Sequence, residues 1–437
     1  MHSKPSNETA ISPTYQHVIV KGLPYERGLT HGRRAQEKVC ANVHYYRTPG
    51  KLVSPHLIDQ IIDQVYKPAI KMYYPAALDE MQGIADGAGV TLDDIILLNS
   101  RYDLARIDEP DNSSPPAEVT LDQANECTSA FFLKETNPEG HVINSQNWDM
   151  SARLWKQDAI IYLEVHPDPS ENKPNLFLVT EAGQLGRSGM NSLGIGVTAN
   201  SLMSSDDYVP LADVDARAGP QQKFILPISL LRRMVLECNH LSEAFTAVFN
   251  FPRHVSNNLT IATAEGFGVC LEITPDRAYK VYGDIDDHYL VHTNHFTHAG
   301  FESRADIRDR YPGGSSWHRR RRFEQGIRGD ALAGRLTQKK LITAFSDHLS
   351  YPEALCCHPD DSPVDAIIGH LPGYPFRGST ATVACVMYNL TTKTVTVCKG
   401  PPCQGKFETF QLHGPSASEI RNSAVSRVDN KLRPEVP

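Results

Sequence analysis

The sequence predicts a layered α+β fold with sheet at its centre and helices outside. Helical patterns dominate residues 25–99, and β-like segments separated by turn residues follow from residue 128 onward. Helical patterns then return, and the chain closes on a strand pair near residues 382–399. The 437 residues are 40% hydrophobic and 22% charged, which is ordinary globular composition and enough chain for a large core.

The N-terminal part begins with one strand and continues as helices. Residues 15–23 read as a strand that ends at a Gly-Leu-Pro turn, and residues 25–46 have a helical pattern with glycines on a close-packing side. Thr91 is the expected N-cap of a further helix, since Asp94 lies three residues on, where a carboxylate reaches unpaired backbone amides. Two more helices are predicted over 55–72 and 75–88.

Residues 108–126 form the clearest break in the chain. They are acidic, contain three prolines and show no sustained period, so we predict an exposed loop that ends at Cys127.

Strand and helix patterns alternate after that loop. Glycines at 183, 186 and 189 do not have the dinucleotide-binding spacing and lead into strands, so no nucleotide cofactor is predicted. The predicted strands are 128–133, 141–147, 159–165, 176–180, 258–264, 267–274, 278–283, 289–293, 382–389 and 394–399. The predicted helices are 222–238, 241–250, 317–328 and 337–348.

Charge and hydropathy exclude two classes of partner. A net charge of −8 argues against nucleic acid, which needs a basic surface. The one basic run, at 318–322, is predicted to be a solvated helix face. No apolar run approaches the ~20 residues of a membrane helix, so no membrane partner is expected.

The cysteines indicate a reduced chain. Nine are present, an odd number, and no Cys-x-x-Cys pair occurs, which predicts neither a disulfide framework nor a cysteine-rich zinc site. The polar start lacks a signal-peptide core, so a cytoplasmic location is expected.

Cys127 stands where the acidic loop meets an apolar run. Alone, such a cysteine is more often an inert core thiol than a nucleophile. If the Glu126–Cys127 bond is cut, however, Cys127 carries a thiol and an α-amine with a pKa near ~8, which can act as the base for that thiol.

Three later segments contain residue types that acyl transfer requires. Asp149, in Gln-Asn-Trp-Asp, can hold an ammonium, although a strand-end turn is an equal interpretation. Asn294, in His-Thr-Asn-His, can donate to a developing oxyanion. Arg377 or the hydroxyls near it, Ser379 among them, can orient a carboxylate, although a plain loop is the simpler interpretation. His292 and His295 lack a third ligand at zinc spacing, so no metal is predicted there.

These segments, in this order, resemble the isopenicillin N acyltransferase family of N-terminal-nucleophile hydrolases. The resemblance runs from about residue 23 to residue 410, and Cys127-Thr128, Asp149 and Asn294 stand at its nucleophile, aspartate and oxyanion-asparagine motifs. Supporting segments are 25–28, 83–88, 98–101, 180–183 and 189–194.

The resemblance implies a four-layer αββα sandwich made from a precursor that cuts itself between Glu126 and Cys127. It implies one domain built from an α chain, 1–126, and a β chain, 127–437, that stay associated. Cys127, Asp149 and Asn294 would be catalytic, and Thr128 with Arg377 or Ser379 would contact substrate. The best-known members have glycine where this chain has Glu126.

The implied activity is transfer of an acyl group from a small-molecule donor, an acyl-coenzyme A or an amide, to a small amine, with no cofactor. Water as the acceptor would make the protein an amidohydrolase of small N-acyl amines. Two alternatives come from other classes: an uncleaved, non-catalytic binding protein on the same fold, and a papain-like thiol protease with His295 as base.

Overall fold

The computed structural model describes residues 12–108, 127–220, 224–311, 314–359 and 380–414. Glu126, Arg377 and Ser379 therefore lie outside the described residues. The α-helices within these ranges are α1 Pro24–Arg34, α2 Gln36–Arg47, α3 Pro55–Ile61, α4 Lys67–Tyr73, α5 Pro75–Ala88, α6 Leu92–Leu104, α7 Ala152–Lys156, α8 Ile228–Glu237, α9 Leu241–Asn250, α10 Ala299–Glu302, α11 Ser315–Leu332 and α12 Gln338–Phe345. Among the described residues, no helix is both long and apolar enough to cross a bilayer.

The strands belong to two sheets. They are β1 Gln16–Gly22, β2 Cys127–Phe132, β3 Ile143–Ser151, β4 Ile160–Pro167, β5 Leu176–Glu181, β6 Ser188–Asn191, β7 Ile195–Thr198, β8 Asn257–Thr263, β9 Phe267–Ile273, β10 Ala278–Val281, β11 Tyr289–His292, β12 Thr380–Asn389, β13 Thr394–Lys399 and β14 Phe407–Gln411. One sheet has the order β1-β4-β5-β6-β7-β8-β9-β10, and the other has the order β11-β2-β3-β12-β13-β14. Only the β1–β4 pair is parallel among the strand pairs of the described residues.

Three buried clusters show that the layers are helix, sheet, sheet and helix. One cluster joins helices α2–α6, α8 and α9 to the eight-stranded sheet. A second lies between the two sheets, and a third joins the six-stranded sheet to α11 and α12. The α+β prediction and the αββα layering are confirmed.

Side-chain alternation along β2 determines where Cys127 points. Ala130 and Phe132 lie in the cluster beneath α11, whereas Cys127 and Phe131 lie in the cluster between the sheets. Successive side chains of a strand point to opposite faces, so the first residue of β2 faces the inter-sheet space. The nucleophile candidate thus starts an interior strand of the six-stranded sheet and points into the space between the two sheets.

Close packing of α1 on α5 follows from glycines on both helices. A Cβ on Gly28 would lie 2.0 Å from the Glu80 carbonyl oxygen, and one on Gly32 would lie 2.3 Å from that of Ile84. Both distances are below any normal contact, so only glycine lets the two backbones approach this closely. This contact anchors the N-terminal segment beneath the eight-stranded sheet.

The predicted elements mostly exist, with altered ends. The helix predicted over 25–46 divides at Ala35 into α1 and α2, and the one predicted over 55–72 contains a π-helical turn, Ile62–Tyr66. The Thr91–Asp94 capping box is present, with the Asp94 amide donating to Thr91 Oγ1 over 3.1 Å.

Candidate active site

Cys127 is fully buried at the start of β2 and pairs with Trp148 of β3. Its backbone amide donates a hydrogen bond to Asn294 Oδ1 over 2.8 Å. The donor of this hydrogen bond, the Cys127 nitrogen, is the atom that the predicted cleavage would turn into an amine.

Asn294 reaches Cys127 because β11 runs antiparallel to β2 and ends two residues before it. Its Nδ2 donates to the Ser201 carbonyl over 3.0 Å, and its own backbone amide donates to Ser316 Oγ over 2.8 Å. Both ends of the Asn294 side-chain amide therefore form hydrogen bonds, Oδ1 with the Cys127 amide and Nδ2 with the Ser201 carbonyl.

Arg319 binds both residues from the neighbouring helix, α11. Its Nη1 donates to the Cys127 carbonyl over 2.6 Å and to Thr128 Oγ1 over 3.0 Å, while Nη2 donates to Asn294 Oδ1 over 2.8 Å. A guanidinium only donates hydrogen bonds, so this contact fixes which end of the Asn294 amide is the oxygen. The Thr128 hydroxyl therefore belongs to the hydrogen-bond network that Arg319 forms around Cys127.

The sequence prediction for the basic run at 318–322 is wrong at Arg319. Its neighbours Arg320, Arg321 and Arg322 have side chains that are 35%, 74% and 39% exposed, as a solvated face would have. Arg319 itself is 0% exposed, because it shares the buried side of α11 with Phe323. Arg319 and Phe323 are four residues apart, a spacing that places both on the same side of a helix. The basic composition of the run hid this pattern in the sequence.

A second arginine lies beside the thiol. Arg187 Nη2 is 4.0 Å from Cys127 Sγ, and the guanidinium lies over the Trp148 ring with 4.3 Å to its centroid. Burial raises the pKa of the Cys127 thiol, and Arg187 opposes that rise, as do the Asp149 backbone amide and Arg319, while the Asp149 carboxylate adds to it. Arg187 is thus a cation that favours the thiolate at a site that is otherwise buried from solvent.

Asp149 is buried on β3, next to Trp148, and faces Thr382 of β12. Its Oδ1 accepts a hydrogen bond from Thr382 Oγ1 over 2.6 Å. The Thr382 amide in turn donates to the Cys357 carbonyl over 2.9 Å. The Asp149 carboxylate is therefore held by Thr382 of β12, and Thr382 is in turn held by the segment that follows α12.

The two histidines that flank Asn294 have separate partners. His292 Nε2 is 2.9 Å from Glu272 Oε1, and although burial lowers the pKa of His292, Cys270 and Glu272 raise it to about 10. His295 Nδ1 is 2.7 Å from Ser316 Oγ, and burial and the charge on His292 lower the pKa of His295 to about 3. Their contacts are those of structural groups, and His295 as the base of a thiol protease gains no support from them.

Arg101 and Arg232 are two further buried arginines in the neighbourhood of Arg187. Arg101 pairs with Glu181, and the Arg232 guanidinium lies over the Tyr102 ring at 5.2 Å. Burial, with Arg187 close by, lowers the pKa of Arg232 to about 9. Within the described residues, Nε of Arg187 and Nε and Nη2 of Arg232 have no hydrogen-bond partner. Cationic groups buried in this way are a favourable setting for an anion.

The structure thus gathers Cys127, Thr128, Asp149 and Asn294 in one place. Arg319 and Arg187 belong to the same site and were missed from the sequence. In the part of the chain that the structure describes, one cluster has metal-binding character, and it contains none of these residues: His348, Cys356, His358 and Cys403.

Comparison with known proteins gives a family match and curated relatives. The family model described as acyl-coenzyme A:6-aminopenicillanic acid acyl-transferase matches residues 136–403, a range that includes Asp149 and Asn294 and begins after Cys127. The 40 kDa form of acyl-coenzyme A:6-aminopenicillanic-acid-acyltransferase from Emericella nidulans is 25% identical over 345 residues, which cover 78% of this chain and 84% of that protein.

Solved structures show weaker likeness. A conjugated bile acid hydrolase from Clostridium perfringens is 9% identical, with a TM-score of 0.37 over 66% of this chain and 97% of its own. A penicillin V acylase from Agrobacterium tumefaciens is 11% identical, with a TM-score of 0.38 over 65% of this chain and 86% of its own. Agreement at that level says nothing about the substrate of this chain.

Proposed function

This chain belongs to the acyl-coenzyme A:6-aminopenicillanic acid acyl-transferase family, and from that premise we propose that it is a self-processing enzyme that transfers an acyl group through a thioester on Cys127. The observation that carries the proposal is the hydrogen bond from the Cys127 amide to Asn294 Oδ1 at 2.8 Å. It joins the nitrogen that cleavage would release as the α-amine to the side chain that we propose as the oxyanion donor.

Maturation would begin with attack of Cys127 Sγ on the Glu126 carbonyl carbon. The C–N bond breaks as the C–S bond forms, and the Cys127 nitrogen leaves as an amine that takes up the thiol proton. Water then hydrolyses the resulting thioester, giving a Glu126 carboxylate and restoring the thiol. The products are chains 1–126 and 127–437, which stay associated.

In the acyl-transfer cycle, the Cys127 α-amine would accept the thiol proton while the thiolate attacks the donor carbonyl. Asn294 Nδ2, together with backbone amides, would stabilise the oxyanion, and Asp149 would orient the ammonium. The ammonium returns its proton to the leaving amine or thiol. Attack by the acceptor then releases the acyl group and restores Cys127.

The acceptor determines which of two activities follows from the same thioester intermediate on Cys127. A small amine gives N-acyl transfer from an acyl-coenzyme A or amide donor, the activity that we propose, and water gives hydrolysis of small N-acyl amines. The family match supports acyl transfer in general, and the choice depends on how far the acceptor pocket excludes water.

Arg187 and Arg232 favour a substrate with an anionic group near the reacting carbonyl. Both guanidiniums are buried, and neither forms an ion pair with a carboxylate within the described residues. A substrate carboxylate would gain charge-assisted hydrogen bonds and relieve the repulsion between two buried cations. We therefore expect N-acyl amino acids to react faster than their uncharged carboxamides.

The test is trapping of the acyl-enzyme by mass spectrometry. Purified protein is incubated with a panel of acyl-coenzyme A thioesters and with N-acyl amino acids, each paired with its carboxamide. We expect an acyl mass on the 127–437 chain at Cys127, and a preference for the charged member of each pair that Arg232→Met removes. Absence of any acyl adduct on a processed chain, with no product formed, would favour a non-catalytic binding protein.

A further inference from the structure

Four side chains of metal-binding types converge outside the set of residues around Cys127. The donor atoms of His348, Cys356, His358 and Cys403 all lie within 4.8 Å of one another. Cys356 is buried, His358 is half-buried, and the other two are exposed. All nine cysteines of the chain lie in the described residues, and each is a free thiol.

Their mutual distances do not fit a hydrogen-bond network. His358 Nε2 lies 3.2 Å from His348 Nε2, 3.4 Å from Cys356 Sγ and 3.4 Å from Cys403 Sγ. A ring nitrogen has either one lone pair or one hydrogen, so it satisfies one partner and not three. Three donor atoms around one nitrogen are instead the arrangement of ligands that share a central ion.

The distances agree with a tetrahedral centre. Zinc–nitrogen bonds of about 2.1 Å and zinc–sulfur bonds of about 2.3 Å place two ligand nitrogens about 3.4 Å apart and a nitrogen and a sulfur about 3.6 Å apart. The three edges that meet at His358 Nε2, 3.2 Å to the His348 nitrogen and 3.4 Å to each sulfur, are close to these values, and all four donor atoms lie within 4.8 Å of one another. We propose that these four side chains bind one zinc ion in a closed, structural Cys2His2 site.

Backbone hydrogen bonds present the ligands from two segments. In the segment after α12, the Cys356 amide donates to the Asp347 carbonyl over 3.0 Å, and the His358 amide donates to the Pro352 carbonyl over 3.2 Å. Cys403 comes from the turn between β13 and β14. The ion would therefore crosslink the segment after α12 to the edge of the six-stranded sheet.

The segment that the ion would fix also supports the thiol site. The Cys357 amide donates to Thr382 Oγ1 over 2.9 Å, and that hydroxyl donates to Asp149 Oδ1 over 2.6 Å. One residue, Cys357, thus lies between a metal ligand and the hydroxyl that holds the Asp149 carboxylate. The role of the ion is to position this support, and it takes no part in the acyl transfer.

The test measures metal in the purified full-length chain. Plasma mass spectrometry of wild-type protein prepared without chelator should find close to one zinc ion per chain. His348→Ala and Cys403→Ser change two exposed ligands and should lower the content to near zero. His44→Ala and Cys40→Ser are the matched controls, since one is an exposed histidine and the other a cysteine outside the cluster, and both should keep the metal.

Cobalt exchange tests the ligand set without any substitution. Co²⁺ introduced after chelation of the wild-type protein should give thiolate-to-cobalt charge transfer and the visible bands of a tetrahedral centre. Protein that lacks stoichiometric metal and fails to develop this spectrum would overturn the proposal. A wild-type intact mass two hydrogens low, with a Cys356–Cys403 disulfide peptide, would overturn it as well.

Discussion

The Cys127 amide and the Asn294 side chain are joined by a 2.8 Å hydrogen bond across 167 residues of sequence. One side-chain amide thereby contacts Cys127 through Oδ1 and the Ser201 carbonyl through Nδ2. If Asn294 stabilises the oxyanion, its loss should lower the reaction rate by the contribution of one hydrogen-bond donor. We expect Asn294→Ala to slow both self-cleavage and acylation by roughly 100- to 1,000-fold, as loss of one oxyanion donor does elsewhere.

Rates of cleavage and of acyl-adduct formation, each followed by intact mass, check that expectation. Asn239→Ala is the control, because that half-buried asparagine lies at the start of α9, away from the thiol. Asn294→Ala protein that cleaves and acylates at the wild-type rate would remove the asparagine from the mechanism.

Arg319 should matter for stability as well as for processing. Arg319→Met removes a buried charged donor from the Cys127 carbonyl and from Asn294 Oδ1, which should cost roughly 2–4 kcal/mol in the free energy of unfolding. Arg321→Met, on the same helix with a side chain 74% exposed, should change it by less than about 0.5 kcal/mol. Urea unfolding of both variants in the Cys127→Ala background measures the difference without interference from cleavage.

Arg187 should set the reactivity of the Cys127 thiol. The nearby guanidinium favours the thiolate, so Arg187→Met should raise the pKa of Cys127 and move the pH profile of its alkylation upward. At neutral pH we expect alkylation by a small haloacetamide to be roughly tenfold slower, since the thiolate is the reactive form. Mass spectrometry of the Cys127 peptide at several pH values gives the profile, with exposed Arg33→Met as the control. An unchanged profile would mean that Arg187 acts only on Trp148.

The His292–Glu272 pair should make stability depend on alkaline pH. Cys270 and Glu272 raise the pKa of His292 to about 10, against burial, from an unfolded value near ~6.5. A raised pKa stabilises the fold fully below ~6.5, and that stabilisation is lost as pH rises towards 10. We expect the free energy of unfolding to fall by a few kcal/mol between pH 6.5 and pH 10, and His292→Gln to flatten that slope. Denaturant unfolding at pH 6.5, 8 and 10 provides the comparison.

Much of the fold could be predicted from hydrophobic periodicity and turn residues. The helix predicted over 75–88 and the strand predicted over 394–399 have the bounds that were expected. The short strands β6 and β14 were not identified, because β6 is only four residues long and the burial pattern of β14 shows mostly partial exposure. Such short or partly exposed strands are determined by pairing with neighbouring strands, which local sequence does not encode.

The sequence predicted the site residues that stand in recognisable motifs. It missed the residues that only the tertiary structure brings to the site. Cys127, Asp149 and Asn294 stand in short motifs, and the structure brings them together. Arg319 was hidden in a basic run, and Arg187 in a glycine-rich turn. The His348–Cys403 cluster was missed because its cysteines are far apart in sequence and match no familiar zinc spacing.

Cleavage before Cys127 is the central claim, and intact mass under denaturing conditions tests it most directly. Wild-type protein should give two species, residues 1–126 and 127–437, with Cys127 as the new N-terminus, while Cys127→Ala should give one uncut chain. A wild-type chain that stays intact, or a Cys127→Ala chain that cleaves normally, would contradict the account.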